Sequence, residues 1–246
     1  MAERRRFFVD TIGETAELVG EEFEHAKNVL RLGVGDEVVL LDNSGKEYTA
    51  VAAAVEKKKI LFNVVREELG TREADSDVML LFGYLKNADK NEFIVQKAVE
   101  LGVKRIGVFS SEYSSAYMNP NKLERLNKVS KEAAKQCLRS VAPEVVYYDT
   151  LGKALETAAE YENKLFACEF ADKSDQDVRA LQGSVAIVIG SEGGFSRREE
   201  ELAREKGFAS VTLGKRILRA ETAAVALTSV VMFVLGELGE DKGANA

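Results

Sequence analysis

Side chains that hold metals or cross-links are scarce in this chain. Its 246 residues include two cysteines, Cys137 and Cys168, and one histidine, His25. Such a set assembles neither a Cys/His zinc cage nor a disulfide framework, so no metal is expected. Long apolar runs are also missing. The longest uncharged stretch, Thr222 to Gly236, falls short of the ~20 residues that span a bilayer and reads as a buried helix, so no membrane partner is expected. The N-terminal Met1-Ala2-Glu3-Arg4-Arg5-Arg6 has no apolar core behind it and no small-residue cleavage site, which makes a cytoplasmic protein the expectation. Positive charge is in the minority. A net charge of −7 argues against coating a nucleic acid by counterion release, so any RNA contact has to be local.

What is present suits a globular protein of one large or two modest domains. With 46% hydrophobic and 30% charged residues, disorder and collagen-like repeats are excluded. Residues 1–72 read as short strands at Phe7–Val9, Glu37–Leu41, Glu47–Val51 and Ile60–Val65, separated by Asp42-Asn43-Ser44-Gly45 and Lys57-Lys58-Lys59, and a small β-barrel is their natural closure. One helix, Glu21 to Arg31, places Phe23, Ala26, Val29 and Leu30 on one face before Gly33. A polar stretch, Thr71 to Asp77, then separates this region from residues 73–246, where strands alternate with long helices.

In that second region strands are expected at Val78–Leu85, Arg105–Ser110, Lys164–Phe170, Val185–Gly190 and Phe208–Leu213. Helices are expected at Asp89–Leu101, Asn121–Ser140, Ser196–Lys206 and Arg219–Leu238. The alternation implies α/β architecture, a mostly parallel sheet covered on both faces. Asp89-x-x-Glu92 is a capping signal for its first helix. On the second, Arg125, Lys128, Lys131, Lys135 and Arg139 fall within about 120° of one another and make a basic face.

Chemistry is expected at carboxyl ends of strands. Val185 to Ile189 runs directly into Gly190-Ser191-Glu192-Gly193-Gly194-Phe195-Ser196. The glycines let the backbone approach a ligand or take positive φ, and they serve equally as a structural strand-to-helix turn. Their spacing fits neither the dinucleotide nor the triphosphate fingerprint. Ser196-x-x-Glu199 is a capping box. A second loop, Leu213-Gly214-Lys215-Arg216-Ile217-Leu218-Arg219-Ala220-Glu221-Thr222-Ala223, again joins a strand to a helix, and two such loops can form one crevice. Arg219 is out of place there, because a cation beside a positive helix end is unfavourable, and this points to an anionic partner.

The two loops resemble the signature loops of the ribosomal RNA small-subunit methyltransferase E family, within the SPOUT superfamily. Lys86, Asn91-Glu92-Phe93, Gln96-Lys97-Ala98 and Glu100-Leu101-Gly102-Val103 are similar to its central motif, and Gln136, Arg139-Ser140 and Pro143-Glu144 to the next. Arg6-Phe7-Phe8, His25-x-x-x-Val29-Leu30-Arg31, Gly35-Asp36 and Gly45-x-x-Tyr48 resemble the family's small RNA-binding barrel. The chain departs from the pattern at Ser191, where proline is common, and at Ala220, where threonine is common.

The resemblance implies a PUA-like barrel followed by a SPOUT-type parallel-sheet domain with a C-terminal trefoil knot. It implies S-adenosyl-L-methionine as cofactor, 16S ribosomal RNA within the small subunit as partner, methylation of N3 of uridine 1498, and a homodimer. On that reading Ile189, Gly190, Glu192, Gly193, Gly194, Leu213, Gly214, Ile217, Leu218, Arg219, Thr222 and Ala223 bind the cofactor. Uridine N3–H must lose its proton as the methyl arrives, for which Glu192 and Glu221 are candidate bases. Arg219 and Arg139 are candidates to hold phosphate or the uracil oxygens. The bland alternative is that the two glutamates only pair with arginines. RNA is expected on Arg4, Arg5, Arg6, His25, Arg31, Lys86, Lys128, Lys131, Lys135 and Arg139. Two other readings compete: a non-catalytic RNA-binding or ribosome-assembly factor, which predicts no cofactor binding, and an α/β enzyme on a small nucleotide, which predicts no need for RNA.

Overall fold

A computed structural model describes residues 5–168 and 174–239. The chain divides into two compact units, Met1–Glu73 with Ala134–Ala142, and Ala74–Ala133 with Pro143–Ala246.

The N-terminal unit carries β1 (Arg6–Phe8), β2 (Thr15–Val19), β3 (Glu37–Leu41), β4 (Lys46–Val55) and β5 (Lys59–Leu69). They form one sheet in the order β1-β3-β4-β5-β2, with β1 parallel to β3 and the other pairs antiparallel. Strand β2 is additional to the strands expected. Its Ala16 and Leu18 point inward at period two, but they are its only buried residues and Glu17 stands between them. Register slips at Thr49/Ala50 and Ala52/Ala54 bend the β4–β5 pair, as bulges do. Phe7, Leu18, Phe23, Leu40, Ile60 and Phe62 fill the core. Among the described residues the ladder runs from β1 to β2 without closing on itself.

The expected helix 21–31 is two pieces: α1 (Gly20–Glu24), then a π-type turn, His25–Val29, where the Leu30 N–H donates to the His25 carbonyl at 3.1 Å. The wider turn rotates the residues after it away from the face that an unbroken helix would give them. Phe23 and Ala26 are buried as expected, while Val29 is 66% exposed. Residues 134–142 join this unit through Glu73, whose carboxylate accepts from the Arg139 guanidinium at 2.8 and 3.0 Å and from the N–H groups of Ser140 and Val141.

The second unit contains β6 (Val78–Gly83), α2 (Ala88–Glu100), β7 (Arg105–Phe109), α3 (Pro120–Gln136, its last three residues in the first unit), β8 (Val145–Tyr148) and α4 (Leu151–Glu156). After them come β9 (Asn163–Ala167), β10 (Val185–Ile189), α5 (Arg197–Glu205), β11 (Ala209–Val211) and α6 (Ala220–Val234). Six parallel strands lie in the order β11-β9-β10-β6-β7-β8. Strands β6 and β10 are buried along their whole length, as strands covered on both faces must be. Short β8 and α4 are additional to the expected elements. Asn87, not Asp89, caps α2, accepting from the Asp89 N–H at 2.8 Å. Helix α3 stops at Gln136 rather than Ser140, with Leu138 at φ +66°. Among the described residues no helix is long and apolar enough to cross a membrane.

Candidate functional site

Strand β10 pairs with β6 on one side and β9 on the other, and β11 lies beyond β9. The carboxyl ends of β9, β10 and β11 therefore gather where the strand order reverses, the place an open α/β sheet offers a ligand. A cavity of about 660 Å³ opens there, within the usual ~300–1,000 Å³ for small-molecule sites.

The first wall is the loop after β10. Phe195 is buried against Phe166, with ring centroids 4.0 Å apart, and this fixes the loop's exit. Ser196 then starts α5: its hydroxyl accepts from the Glu199 N–H at 3.2 Å while Glu199 accepts from the Ser196 N–H at 3.0 Å, completing the expected capping box. Between them the Gly194 N–H donates to the Ser191 carbonyl at 3.0 Å, and Gly194 takes φ +67°, which an L side chain resists. The second wall is the loop from Thr212 to Arg219, with Gly214 at φ +103°.

Most of the expected cofactor residues line this cavity: Ile189, Gly190, Glu192, Gly194, Leu213, Gly214, Ile217, Leu218, Arg219 and Ala223, with Glu221 beside them. Two do not. Thr222 is exposed and off the wall, because it falls on the outer side of the first turn of α6. Gly193 is also off it. A Cβ there would lie 2.7 Å from Tyr113 Cβ, so this glycine makes room for a neighbouring chain segment. Lys90, Ala167 and Cys168 line the cavity without having been expected. They come from α2, the last residue of β9 and the residue after it, which only the strand order brings to this place.

Among the described residues neither glutamate pairs with an arginine. Glu192 accepts the Lys86 backbone N–H at 3.1 and 3.4 Å, one to each oxygen. Glu221 pairs with Lys90 at 3.0 Å, and its second oxygen is buried without a partner among the described residues. Burial pushes the Glu221 carboxyl up, but its own backbone N–H, the Lys90 ammonium and the Arg219 charge outweigh that and hold it below the ordinary carboxylate value. It is therefore a fixed anion and a poor proton acceptor near neutral pH. Arg219 occupies the N-cap position of α6 with no side-chain cap. Among the described residues it has no ion-pair partner within 4.0 Å.

Arg139 is not at this cavity. It is buried in the N-terminal unit with its guanidinium on Glu73. The expected basic face is largely neutralised: Arg125 makes a two-pronged pair with Glu92, Lys128 pairs with Glu124 and Lys135 with Glu22, while Lys131 is exposed. In the N-terminal unit Arg5 lies 3.9 Å from Asp36 and Arg6 holds Glu47 through two bonds. His25 and Arg31 are exposed, as is Lys86 in the second unit. Arg4 lies outside the described residues.

A parallel sheet with two loops walling a cavity at its switch point, preceded in the chain by a small β unit, is the architecture of an α/β protein that binds a small ligand. A family profile described as RNA methyltransferase domain matches residues 72–232, and one described as RNA methyltransferase PUA domain matches residues 18–65. The ribosomal RNA small subunit methyltransferase E of Bacillus subtilis is 29% identical over 248 residues, 93% of this chain and 96% of that one. The Aquifex aeolicus protein of the same name is 31% identical over 80% of this chain and 86% of its own. A crystal structure of a ribosomal RNA small subunit methyltransferase E from Neisseria gonorrhoeae, bound to S-adenosyl methionine, superposes with a TM-score of 0.83 at 28% identity, covering 95% of this chain and 98% of that one. The chain belongs to the ribosomal RNA small subunit methyltransferase E family.

Proposed function

We infer that this protein transfers a methyl group from S-adenosyl-L-methionine to N3 of uridine 1498 of 16S ribosomal RNA in the small subunit. The observation that carries the reading is the cavity itself, walled by the two glycine-containing loops at the carboxyl ends of β9, β10 and β11. The residues present fit the cofactor. Its volume is accommodated, Gly190, Gly194 and Gly214 leave main-chain groups accessible to an adenine edge, and the unpartnered Glu221 oxygen is an acceptor waiting for a hydroxyl or ammonium donor. When bound, S-adenosyl-L-methionine supplies an electrophilic methyl on its sulfonium.

The chain's own part is positioning, proton removal and charge stabilisation. Ile189, Gly190, Gly194, Leu213, Gly214, Ile217, Leu218 and Ala223 bind the cofactor, with Gly193 supporting their loop from outside. Glu192, exposed at the cavity wall, is the better placed of the two carboxylates to take the N3 proton, since Glu221 is committed to Lys90. Arg219 faces the anionic ring or an adjacent phosphate, which accounts for a cation at a helix N-terminus. His25, Arg31 and Lys86, all exposed, contact RNA.

The same reading includes a homodimer, a cytoplasmic location and a C-terminal trefoil knot. Supporting the dimer, α6 leaves Val230 45% and Phe233 65% exposed. The knot is supported by the chain order around β9, since α6 packs on β6, β10 and the turn Val178–Ala180 after the chain has passed β11. The test is calorimetric titration with S-adenosyl-L-methionine, then methyl transfer to small subunits lacking the modification, with the product nucleoside mapped by mass spectrometry. 3-Methyluridine at position 1498 is expected; a different nucleotide, or no transfer, overturns the reading.

A further inference from the structure

Two tyrosines of the C-terminal unit are open to solvent, Tyr113 at 53% and Tyr117 at 82%, and Tyr113 lies against Gly193 of the loop that walls the cofactor cavity. The unit's other tyrosines are covered, Tyr84 and Tyr161 fully and Tyr147 and Tyr148 in part. Neither exposed ring stacks on another aromatic ring among the described residues.

The backbone beneath Tyr113 is, by contrast, tied down. The Ser114 N–H donates to the Ser111 carbonyl at 3.0 Å and the Ser111 N–H to the Ser114 hydroxyl at 2.9 Å, closing a turn with Tyr113 at its corner. The Glu112 N–H donates to the buried Glu199 carboxylate at 2.8 Å, and the Ser111 hydroxyl lies 3.2 Å from that of Ser191, a cavity residue. Gly193 lies directly against this turn: a Cβ on it would come within 2.7 Å of Tyr113 Cβ and 3.1 Å of the Tyr113 carbonyl. The glycine of the cofactor loop that lines no cavity thus gains a purpose, since it seats Tyr113.

An exposed ring on a rigid turn has only two side-chain torsions left to order, which makes it an efficient contact for a flat partner. N3 lies on the pairing edge of uracil, so it is reached only in a base that is unpaired and drawn out of its stack, and an aromatic side chain replaces the stacking lost. Cations stand nearby for the phosphates. Lys86 is exposed, with its backbone N–H on Glu192 of the same loop as Gly193, and Arg216 is exposed on the facing loop.

We propose that the Tyr113 ring is the platform on which an extruded uracil of the RNA stacks at the mouth of the cofactor cavity. The proposal rests on the methyltransferase reading above, and its test separates the two. The variants are Tyr113→Ala, Tyr113→Phe and Tyr113→Leu. The first measurement needs no turnover: a single-stranded RNA oligonucleotide carrying 5-iodouridine is photo-cross-linked to the protein and the adduct mapped. Cross-linking at Tyr113, with RNA affinity about tenfold lower in Tyr113→Ala and restored in Tyr113→Phe, is expected.

The second measurement is methyl transfer to small subunits. Here kcat/KM for RNA is expected to fall about tenfold or more in Tyr113→Ala while S-adenosyl-L-methionine affinity stays within twofold. If Tyr113→Leu serves as well as Tyr113→Phe, the ring is merely apolar cover, and stacking is overturned. A parallel loss of cofactor affinity overturns it too, because Tyr113 then acts through the loop. If the wild type transfers no methyl yet cross-links at Tyr113, the methyltransferase reading fails and the stacking surface stands. If it transfers methyl and Tyr113→Ala matches it, the reverse holds.

Discussion

Two neighbouring glycines in one loop carry different constraints at the scale of single residues. Gly194 sits at φ +67° on the cavity wall, so Gly194→Val combines left-handed strain of about 1–2 kcal/mol with a blocked ligand approach. Cofactor affinity should fall at least tenfold with the fold retained, as calorimetry and circular dichroism will show. Gly193→Ala instead displaces Tyr113 and should leave cofactor affinity nearly intact while lowering kcat/KM for RNA. Tyr161 gives a pH prediction. Burial, then its 2.9 Å hydrogen bond to Asp77, raise the phenol well above its ordinary value, with Arg105 opposing. A raised folded-state value means the contribution to stability is complete below the unfolded value near 10 and is lost as pH rises past it. Tyr161→Phe should therefore flatten the alkaline fall in Tm, and at neutral pH should cost about 1 kcal/mol for the lost hydrogen bond.

At the scale of elements, the helix α3 shows how a charge pattern misleads. Its cations share a face by spacing, yet Arg125, Lys128 and Lys135 each meet a carboxylate that periodicity does not reveal, and Arg139 lies beyond the helix end on Glu73. Changing Lys128, Lys131 and Lys135 together to Gln should move the salt dependence of RNA affinity by less than one released counterion. Lys215→Gln with Arg216→Gln, on the exposed cavity loop, should lower the slope by about 0.7 for each cation that meets a phosphate. Equal slopes for the two variants would put RNA elsewhere. The same limit explains the helix starts: Asp89-x-x-Glu92 looks like a cap in one dimension, but Glu92 reaches Arg125 of another helix and Asn87 takes the cap.

For the whole molecule, α6 decides the assembly question. Its apolar residues go nearly all round in the sequence, a pattern that predicts burial on every side. In the single chain Val231 and Met232 are fully buried, while Val230 and Phe233 remain exposed. A glutamate at Val231 is therefore the wrong probe for a dimer, since it places an unpaired charge in the chain's own core at a cost of several kcal/mol. Phe233→Glu is the right one. It should convert a micromolar dimer to a folded monomer in sedimentation equilibrium, with Tm nearly unchanged apart from the loss of association. A wild type that sediments as a monomer at that concentration would remove the dimer from the proposed function.

The sequence by itself determined whatever depends on neighbours along the chain. Period-two and period-3.6 patterns placed most strands and helices, the capping box at Ser196 and the two loops that wall the cavity, because hydrogen bonds and side-chain facing within an element are set by residues a few positions apart. Strands β2 and β8 carried too weak a signal, since only Ala16 and Leu18 of β2 and Val145 of β8 are buried. The tertiary structure alone decided which distant residues meet. The order β11-β9-β10 brought Cys168 to the cavity, the packing of α2 on α6 set Lys90 on Glu221, and Glu73 held Arg139 in the first unit. Such pairings are fixed by long-range burial and by the need of each charge for a partner, which leave no period in the chain. For the same reason the ring of Tyr113 acquires meaning only once Gly193 is found against it.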